Sequence, residues 1–316
     1  MGILGVVVQY SQCNLNYNTV IMRYIFILLI ISFLYSCNFG QSKSTGSNSM
    51  VKKDSAVDLE KVAKMKLTNA NDYRKVLDGL DQGDINSLRV AGTLFKNCVA
   101  DTLTHDSIFV VFNDLYNTLA GSYLENNESV STKLENSPSS EAIDKIKRSL
   151  ASYGILLRSD KGSFYLEPQT EYLLQNFGSE LSPAYREYLT IGSKEQKEQF
   201  AKNGTILIPA DSLTSRIIIW ENFIERYPDF ISIKMAQEQY AQYLGAFLAG
   251  MDNSRVFDSE TNRLSDNSKT SFESFAVKYP ESKSTGLVKA YLDLLKSTNF
   301  NYTDKVDSFL LEKIYH

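Results

Sequence analysis

No arrangement of side chains in this sequence identifies acid–base or nucleophilic catalysis. The 316 residues include two histidines, His105 and His316, so a zinc site of the usual kind would need carboxylates for its remaining ligands. Ser49 and Lys52 match the Ser-x-x-Lys spacing of some serine hydrolases, but they lie in a polar stretch rich in Ser, Gly and Asn. A catalytic pair needs a rigid helix start. We therefore assign no catalytic residue, and we predict that His105 is an exposed residue near a helix start.

Acidic residues cluster in one polar segment near the C-terminus. Asp252, Asn253, Asp258 and Glu260 carry oxygen ligands of the kind that Ca²⁺ prefers, but their spacing differs from that of an EF-hand and lacks its glycine. The segment is therefore predicted to be a solvated loop, with no metal or cofactor. Paired carboxylates for glycoside cleavage stay open, because acidic pairs are too common to identify in a sequence.

Net charge and cysteine content limit the classes of function that we expect for this protein. The net charge is −4 and the pI is near 5.4, and no basic block occurs, so nucleic acid is not an expected partner. There are three cysteines, Cys13, Cys37 and Cys98. Cys98 falls on an apolar helical series with Leu88 and Leu94, which predicts a buried core thiol rather than a reactive one.

The stretch from Met22 to Cys37 predicts the location of the protein. Arg23 is followed by an apolar run from Tyr24 to Leu34, which is shorter than the roughly 20 residues that span a bilayer and suits a signal peptide. The next residues, Leu34-Tyr35-Ser36-Cys37, resemble the lipobox of bacterial lipoproteins. The resemblance implies a signal peptide over 22–36 and lipid attachment at Cys37 through a diacylglycerol thioether, usually with a further acyl chain such as palmitate. The alternative is an uncleaved helical membrane anchor.

The segments on either side of this signal are not expected to fold. Residues 1–21 are predicted to be a mis-annotated extension ahead of the true start at Met22. Residues 37–58 comprise the lipidated cysteine and a Ser-, Gly- and Asn-rich flexible tether. Some lipoproteins of the Bacteroidota type have an acidic tag after the lipidated cysteine that sends them to the cell surface. The resemblance to bacterial lipoproteins, together with the lack of an acidic cluster after Cys37, implies the periplasmic face of the outer membrane in a bacterial cell envelope.

The rest of the chain predicts a mainly α fold, an irregular array of antiparallel helix pairs with one small β-hairpin. The region 59–210 contains amphipathic helices, such as the stripe from Ile108 to Tyr123. Two extended runs around Ser159-Asp160-Lys161-Gly162 predict the hairpin, which should pack on the helices because an isolated hairpin is marginally stable. The region 211–316 is predicted to be a second helical region, and Asp211 is predicted to cap its first long helix, Ser212 to Tyr227.

A weak internal repeat lies in that second region. The ten residues from Trp220 to Asp229 match those from Phe272 to Glu281 at an offset of 52 residues, and each copy contains a Tyr-Pro break at a helix end. The pattern resembles tetratricopeptide-like repeats of bacterial outer-membrane lipoproteins. It departs from them because such repeats recur at about 34 residues, so two unrelated helix hairpins remain the alternative. Trp220, Tyr227, Tyr240 and Tyr279 are predicted to shape the core of the repeat.

These features favour a lipid-anchored cell-envelope protein whose helical body is a non-enzymatic binding or scaffold module. The expected partners are the membrane, through the lipid on Cys37, and a protein of the cell envelope; the partner-binding residues stay unassigned. One alternative is an envelope hydrolase that cleaves glycan or peptide with carboxylates. The other is a lipoprotein that binds a small ligand.

Overall fold

The computed structural model describes residues 59–81, 83–136, 140–160 and 162–314. This part of the chain is mostly helical with small antiparallel strand pairs, so the predicted fold class is confirmed. Within these ranges, no helix combines the length and the apolar character that crossing a membrane requires. The predicted signal peptide, Cys37 and the tether lie outside the described residues.

The first half of the described chain consists of short helices around one long helix, followed by the β-hairpin. Its elements are α1 (Leu59–Lys64), α2 (Ala70–Leu77), α3 (Asn86–Lys96), α4 (Thr102–Asn126), α5 (Glu128–Asn136), α6 (Ser140–Ala151), β1 (Ile155–Asp160) and β2 (Ser163–Pro168). The long helix α4 packs against α2, α3 and β2. The side chain of Asp101 accepts a hydrogen bond from the Thr104 backbone N–H, which explains why α4 begins where it does.

The second half alternates longer helices with very short strand pairs. Its elements are α7 (Thr170–Phe177), α8 (Pro183–Lys197), β3 (Ala201–Lys202), β4 (Thr205–Ile206), α9 (Ala210–Arg226), α10 (Ile233–Ala249), β5 (Gly250–Met251), β6 (Ser254–Arg255), α11 (Asp266–Lys278), α12 (Lys283–Ser297) and α13 (Asp304–Ile314). Helix pairs α7–α8, α9–α10 and α11–α12 each pack side by side. Ser182 caps α8 and Pro183 occupies its first turn, where a missing N–H costs nothing.

The β-hairpin lies where the sequence predicts it and packs on helices. β1 pairs antiparallel with β2, from Ile155 opposite Pro168 to Asp160 opposite Ser163. β2 lies against α4, and β1 lies against α6. Two further strand pairs, β3–β4 and β5–β6, were not predicted and have two residues in each strand.

One hydrophobic cluster runs through the described chain, from Val62 to Ile314. Aromatic rings join its first-half helices to α7: the Phe112 and Phe177 ring centroids lie 4.6 Å apart, and Phe95 meets Phe177 edge to face at 5.3 Å. Such ring pairs add to the free energy that burial of their area supplies. Tyr185 of α8 meets Phe230 edge to face at 5.1 Å, so the buried side chains of regions 59–210 and 211–314 belong to a single core.

The two Tyr-Pro turns have the same local geometry. Tyr227 ends α9 with φ −127° and ψ 61°, and Tyr279 ends α11 with φ −127° and ψ 58°. Each tyrosine backbone N–H donates to the carbonyl of a phenylalanine four residues earlier, Phe223 or Phe275. The ring centroids of these Phe–Tyr pairs lie 5.2 and 5.1 Å apart. The sequence match therefore reflects a shared way of ending a helix.

Three local predictions can be compared with the structure. Cys98 is buried as predicted, and burial raises the pKa of its thiol to about 11. The exposed position predicted for His105 is wrong: the imidazole is 7% exposed, lies within 3.1 Å of the Asp101 carbonyl and meets the edge of the Phe95 ring. Asp211, predicted as the cap of α9, lies in its first turn because the helix begins at Ala210.

Candidate functional site

An open groove of about 340 Å³ lies where α3, α4, α7 and the turn between α6 and β1 meet. Sites for small molecules usually measure roughly 300–1,000 Å³, so this groove falls at the lower end of that range. Its lining combines cationic, hydroxyl, amide and aromatic side chains. No Asp or Glu is among the described residues that line it.

Two cations on α3 form one wall of the groove. Arg89 and Lys96 are seven residues apart, so they share a helix face and lie two turns, roughly 10 Å, apart along the axis. Both are exposed, and Lys96 Nζ lies 5.6 Å from the centroid of the Phe177 ring. In the part of the chain that the structure describes, neither forms an ion pair. The Arg89 guanidinium has one long contact, 3.4 Å from Nη2 to the side-chain oxygen of Asn86.

Aromatic rings form the floor of the groove beneath a glycine of α3. A Cβ atom on Gly92 would lie 3.3 Å from Cζ of Phe177, which is tighter than ordinary contact. Glycine therefore lets α3 approach the rings of Phe177 and Phe112 closely. Gly92 lies between Arg89 and Lys96 on α3, and both rings are among the residues that line the groove.

Hydroxyl and amide groups form the opposite wall. Ser152 Oγ donates to the Ser149 carbonyl over 2.7 Å, and Tyr153 OH donates to the Asn86 side-chain oxygen over 2.8 Å. The Asn176 amide Nδ2 donates to the Tyr172 carbonyl over 2.9 Å. Both hydroxyl groups direct their single donor at the protein and keep acceptor lone pairs, and the Asn176 amide keeps its oxygen and one N–H. The wall is therefore rich in hydrogen-bond acceptors.

Gly154 places Tyr172 in this wall. Its φ is +72°, and a Cβ atom there would lie 2.2 Å from Cγ of Tyr172. Glycine is the residue that adopts this conformation without strain and leaves room for the ring. The Gly154 carbonyl accepts a hydrogen bond from the buried Tyr116 OH of α4. Burial is the main cause of the raised pKa of Tyr172, so its phenol stays neutral at physiological pH.

A second polar cluster joins α8, α9 and α10, and its charges are bonded within the fold. The Glu195 carboxylate accepts hydrogen bonds from Trp220 Nε1 at 3.0 Å and Tyr243 OH at 2.9 Å. The buried Arg216 donates to the Glu198 carbonyl at 2.6 Å and contacts Tyr243 OH at 3.3 Å. Burial raises the pKa of Glu195 against the opposing effects of Tyr243, Arg216 and Trp220.

Glu221 is a buried acid whose carboxylate accepts hydrogen bonds through both of its oxygens. Its carboxylate accepts hydrogen bonds from the backbone N–H groups of Lys283 and Ser284, at 2.9 and 2.8 Å, and from the Ser282 hydroxyl at 2.9 Å. These N–H groups lie at the start of α12, where helix donors lack partners within the helix. Glu221 on α9 thus links the helix pair α9–α10 to the helix pair α11–α12 through hydrogen bonds.

The predicted repeat residues lie in the core around these clusters. Trp220 is 2% exposed, and Tyr227 and Tyr279 are partly buried at the two turns. The Tyr240 hydroxyl lies 2.8 Å from the Ser284 hydroxyl, beside the Glu221 contact. Cys37 lies outside the described residues. These placements agree with a structural role for all four aromatic residues.

The acidic segment from Asp252 to Glu260, predicted to be a solvated loop, contains hydrogen bonds of its own. Asp258 Oδ1 accepts from the backbone N–H groups of Glu260 and Thr261 and from the Thr261 hydroxyl. Over the ranges given above, no group of three or more His, Cys, Asp or Glu side chains is arranged to hold a metal ion.

The groove residues were not identified from the sequence. The available signal was the pair Arg89 and Lys96, which share one helix face without an acidic residue one turn away from Lys96 on α3. Tyr153, Tyr172 and Asn176 reach the same groove from segments about 60–90 residues further along the chain. No local pattern in the sequence reveals that arrangement.

The fold and the groove define a mainly helical protein with a small, solvent-open, cation-lined groove. Comparison with models of protein families, with curated proteins and with solved structures gave no match.

Proposed function

We propose that this protein is a lipid-anchored bacterial cell-envelope protein whose helical body is a non-enzymatic binding module. The groove between α3 and α7 is the binding surface in this proposal. The observation that supports it is the presence of two cations in the groove that form no ion pair among the described residues. Charges that the fold does not use internally are available to a ligand or partner.

The sequence from Met22 to Cys37 supports the anchor. One acyl chain binds a membrane marginally, and two or three chains hold a protein stably, because each buried CH₂ contributes about 0.8 kcal/mol. The tether over 38–58 would separate the body from the bilayer. Outer-membrane attachment facing the periplasm is part of the same proposal.

The anchor is tested by labelling cells with radioactive palmitate and separating membranes from soluble fractions. We expect the wild-type protein to carry the label and to sediment with membranes. The Cys37→Ala variant should lose the label, and Cys98→Ala should keep it as a matched cysteine control. A labelled, membrane-bound Cys37→Ala variant would contradict the anchor.

The binding role is tested by crosslinking the wild-type and groove variants in the native envelope. We expect a stoichiometric crosslinked species with the wild type, and its loss when Arg89→Glu and Lys96→Glu are combined. Lys289→Glu is the control, because Lys289 is an exposed cation on α12, away from the groove. Equal crosslinking of all three proteins would show that the groove is not the binding surface.

A small-ligand role is the second candidate, and the volume of the groove favours it. A cavity of about 340 Å³ fits a molecule of one or two rings better than a helix or a folded domain. The hydrolase alternative receives no support from this groove, since no carboxylate is found among its described lining residues.

A further inference from the structure

We infer that the groove binds an acidic sugar, a hydroxylated ring that carries a phosphate or carboxylate group. This inference rests on the proposed binding role of the groove. It specifies the chemical class of the ligand from three properties of the lining: its charge, its hydrogen-bond acceptors and its size.

The charge of the lining selects an anion. Arg89 and Lys96 are positive at physiological pH, and no Asp or Glu lies among the described lining residues. Arg89 offers a planar set of donors that matches a carboxylate or phosphate, and Lys96 adds a second cation two turns away. A cationic ligand would meet repulsion from this wall, and a neutral ligand would gain hydrogen bonds from it but no attraction between opposite charges.

The acceptors of the opposite wall select hydroxyl groups on the ligand. Ser152 and Tyr153 direct their hydroxyl protons at protein acceptors, so their oxygens are left to accept hydrogen bonds from a ligand. Asn176 uses one amide N–H within the fold and keeps its side-chain oxygen and a second N–H. Thr93, beside the cations, likewise donates its hydroxyl to the Arg89 carbonyl over 2.9 Å. A ligand that lacks hydroxyl donors would remove water from these oxygens without replacing its hydrogen bonds. A sugar ring supplies several such donors.

The size and floor of the groove select a single ring. The volume of about 340 Å³ accommodates one six-membered ring with its charged group. The Tyr172 ring is partly exposed at the groove, and the C–H face of a sugar can pack against it; Phe177 is buried beneath the groove. The expected ligand therefore has an apolar face and polar groups, and the groove has both kinds of surface to match them.

The test is calorimetric titration of the full-length protein, purified in detergent, with glucose 6-phosphate and glucuronic acid as probes. Three comparators each lack one feature: glucose lacks the anion, inorganic phosphate lacks the ring, and phenyl phosphate lacks the sugar hydroxyls. We expect at least one probe to bind about tenfold or more tightly than every comparator. If phenyl phosphate binds as tightly as the probes, or if neither probe binds, the inference is overturned.

Two kinds of variant separate the anion site from the hydroxyl site. Arg89→Glu and Lys96→Glu should each weaken the probe about tenfold or more, whereas Lys289→Glu should leave its affinity unchanged. Tyr153→Phe should weaken the probe and leave phenyl phosphate unaffected, since the lost oxygen accepts from a sugar hydroxyl. Equal effects of Tyr153→Phe on both ligands would contradict this assignment of the wall.

Failure of the inference can be distinguished from failure of the proposed function. If neither sugar binds but charge reversal still abolishes the envelope crosslink, the ligand class is wrong and the binding surface stands. If a sugar binds but Cys37→Ala remains labelled and membrane-bound, the anchor is wrong and the ligand class stands.

Discussion

Arg216 and Arg89 are both helical arginines, but they have opposite environments. The Arg216 side chain is 7% exposed; it pairs with Glu198 at 3.2 Å, and its guanidinium carbon lies 5.5 Å from the centroid of the Tyr243 ring. Arg89 is exposed beside the groove and has a single long contact to Asn86. The first charge is bonded within the fold, and the second is available to a ligand.

The same difference distinguishes two regions of the molecule, the helix junction that contains Arg216 and the groove that contains Arg89. At the junction of α8, α9, α10 and α12, the partly buried Glu195 and the buried Glu221 accept hydrogen bonds from neighbouring helices. In the groove, Arg89 and Lys96 face solvent and an acceptor-rich wall. Because a buried polar group is costly without partners, the junction contributes to stability, whereas the groove can change without unfolding the protein.

Loss of Glu221 is expected to produce the largest change in stability. Glu221→Ala removes the acceptor for the first N–H groups of α12, and we expect the free energy of unfolding to fall by about 2–4 kcal/mol. Glu273→Ala is the matched control, because Glu273 occupies the same position in the second hairpin and is exposed. Urea unfolding followed by circular dichroism measures both; equal losses would show that the junction contacts do not stabilise the hairpins.

Arg216→Met should cause the second largest change in stability. We expect the free energy of unfolding to fall by about 1–3 kcal/mol, because the Glu198 carbonyl and the Tyr243 hydroxyl lose a buried partner. Arg89→Met should change the free energy of unfolding by less than about 0.5 kcal/mol, as is usual at exposed sites. The same urea titration compares them. If Arg89→Met lost more stability than Arg216→Met, the proposed difference between a structural arginine and a ligand-binding arginine would be contradicted.

The third prediction concerns the pH dependence of stability. Burial raises the pKa of Glu195, so the native state holds this proton more tightly than the unfolded state. Stability should therefore fall as pH rises from the ordinary glutamate pKa, about 4.3, through the raised value, by about 1.4 kcal/mol for each unit between the two. Glu195→Gln should flatten this decline relative to Glu198→Gln, in which an exposed carboxylate is changed.

An unchanged slope in Glu195→Gln would show that the Glu195 proton is held equally in both states. Asp106 and Asp114, whose pKa values burial also raises, contribute to the wild-type decline. The test therefore compares the pH dependence of stability of Glu195→Gln with that of Glu198→Gln, and does not depend on the slope of the wild type.

The smallest effect we predict is that of salt concentration on ligand affinity. Raising the ionic strength from about 0.01 to 0.15 M shortens the Debye length from about 30 to 8 Å, so sugar phosphate affinity should weaken while the free energy of unfolding changes little. Titrations at the two salt concentrations measure the first quantity, and urea curves the second. A salt-independent affinity would show that the exposed cations do not contact the anion.

Sequence reasoning predicted the elements better than the site. Regular apolar spacing in α4, the turn at Gly162 and the Tyr-Pro breaks are local signals, and local signals determine helices and hairpins. His105 was placed wrongly because the contact that buries it, the Phe95 ring, belongs to another helix. The groove escaped detection for the same reason, since α3 meets Tyr153 and Tyr172 only after folding. The placement of Cys37 and the tetratricopeptide-like assignment stay predictions.

The most direct test measures stability and ligand affinity together in Arg216→Met and in the double variant Arg89→Met/Lys96→Met. We predict that Arg216→Met lowers the free energy of unfolding and leaves the affinity of the folded protein for the sugar probe unchanged. The groove variant should keep its stability and lose its affinity about tenfold or more. If both variants lost stability and affinity to the same extent, the separation of structural from binding charges would be contradicted.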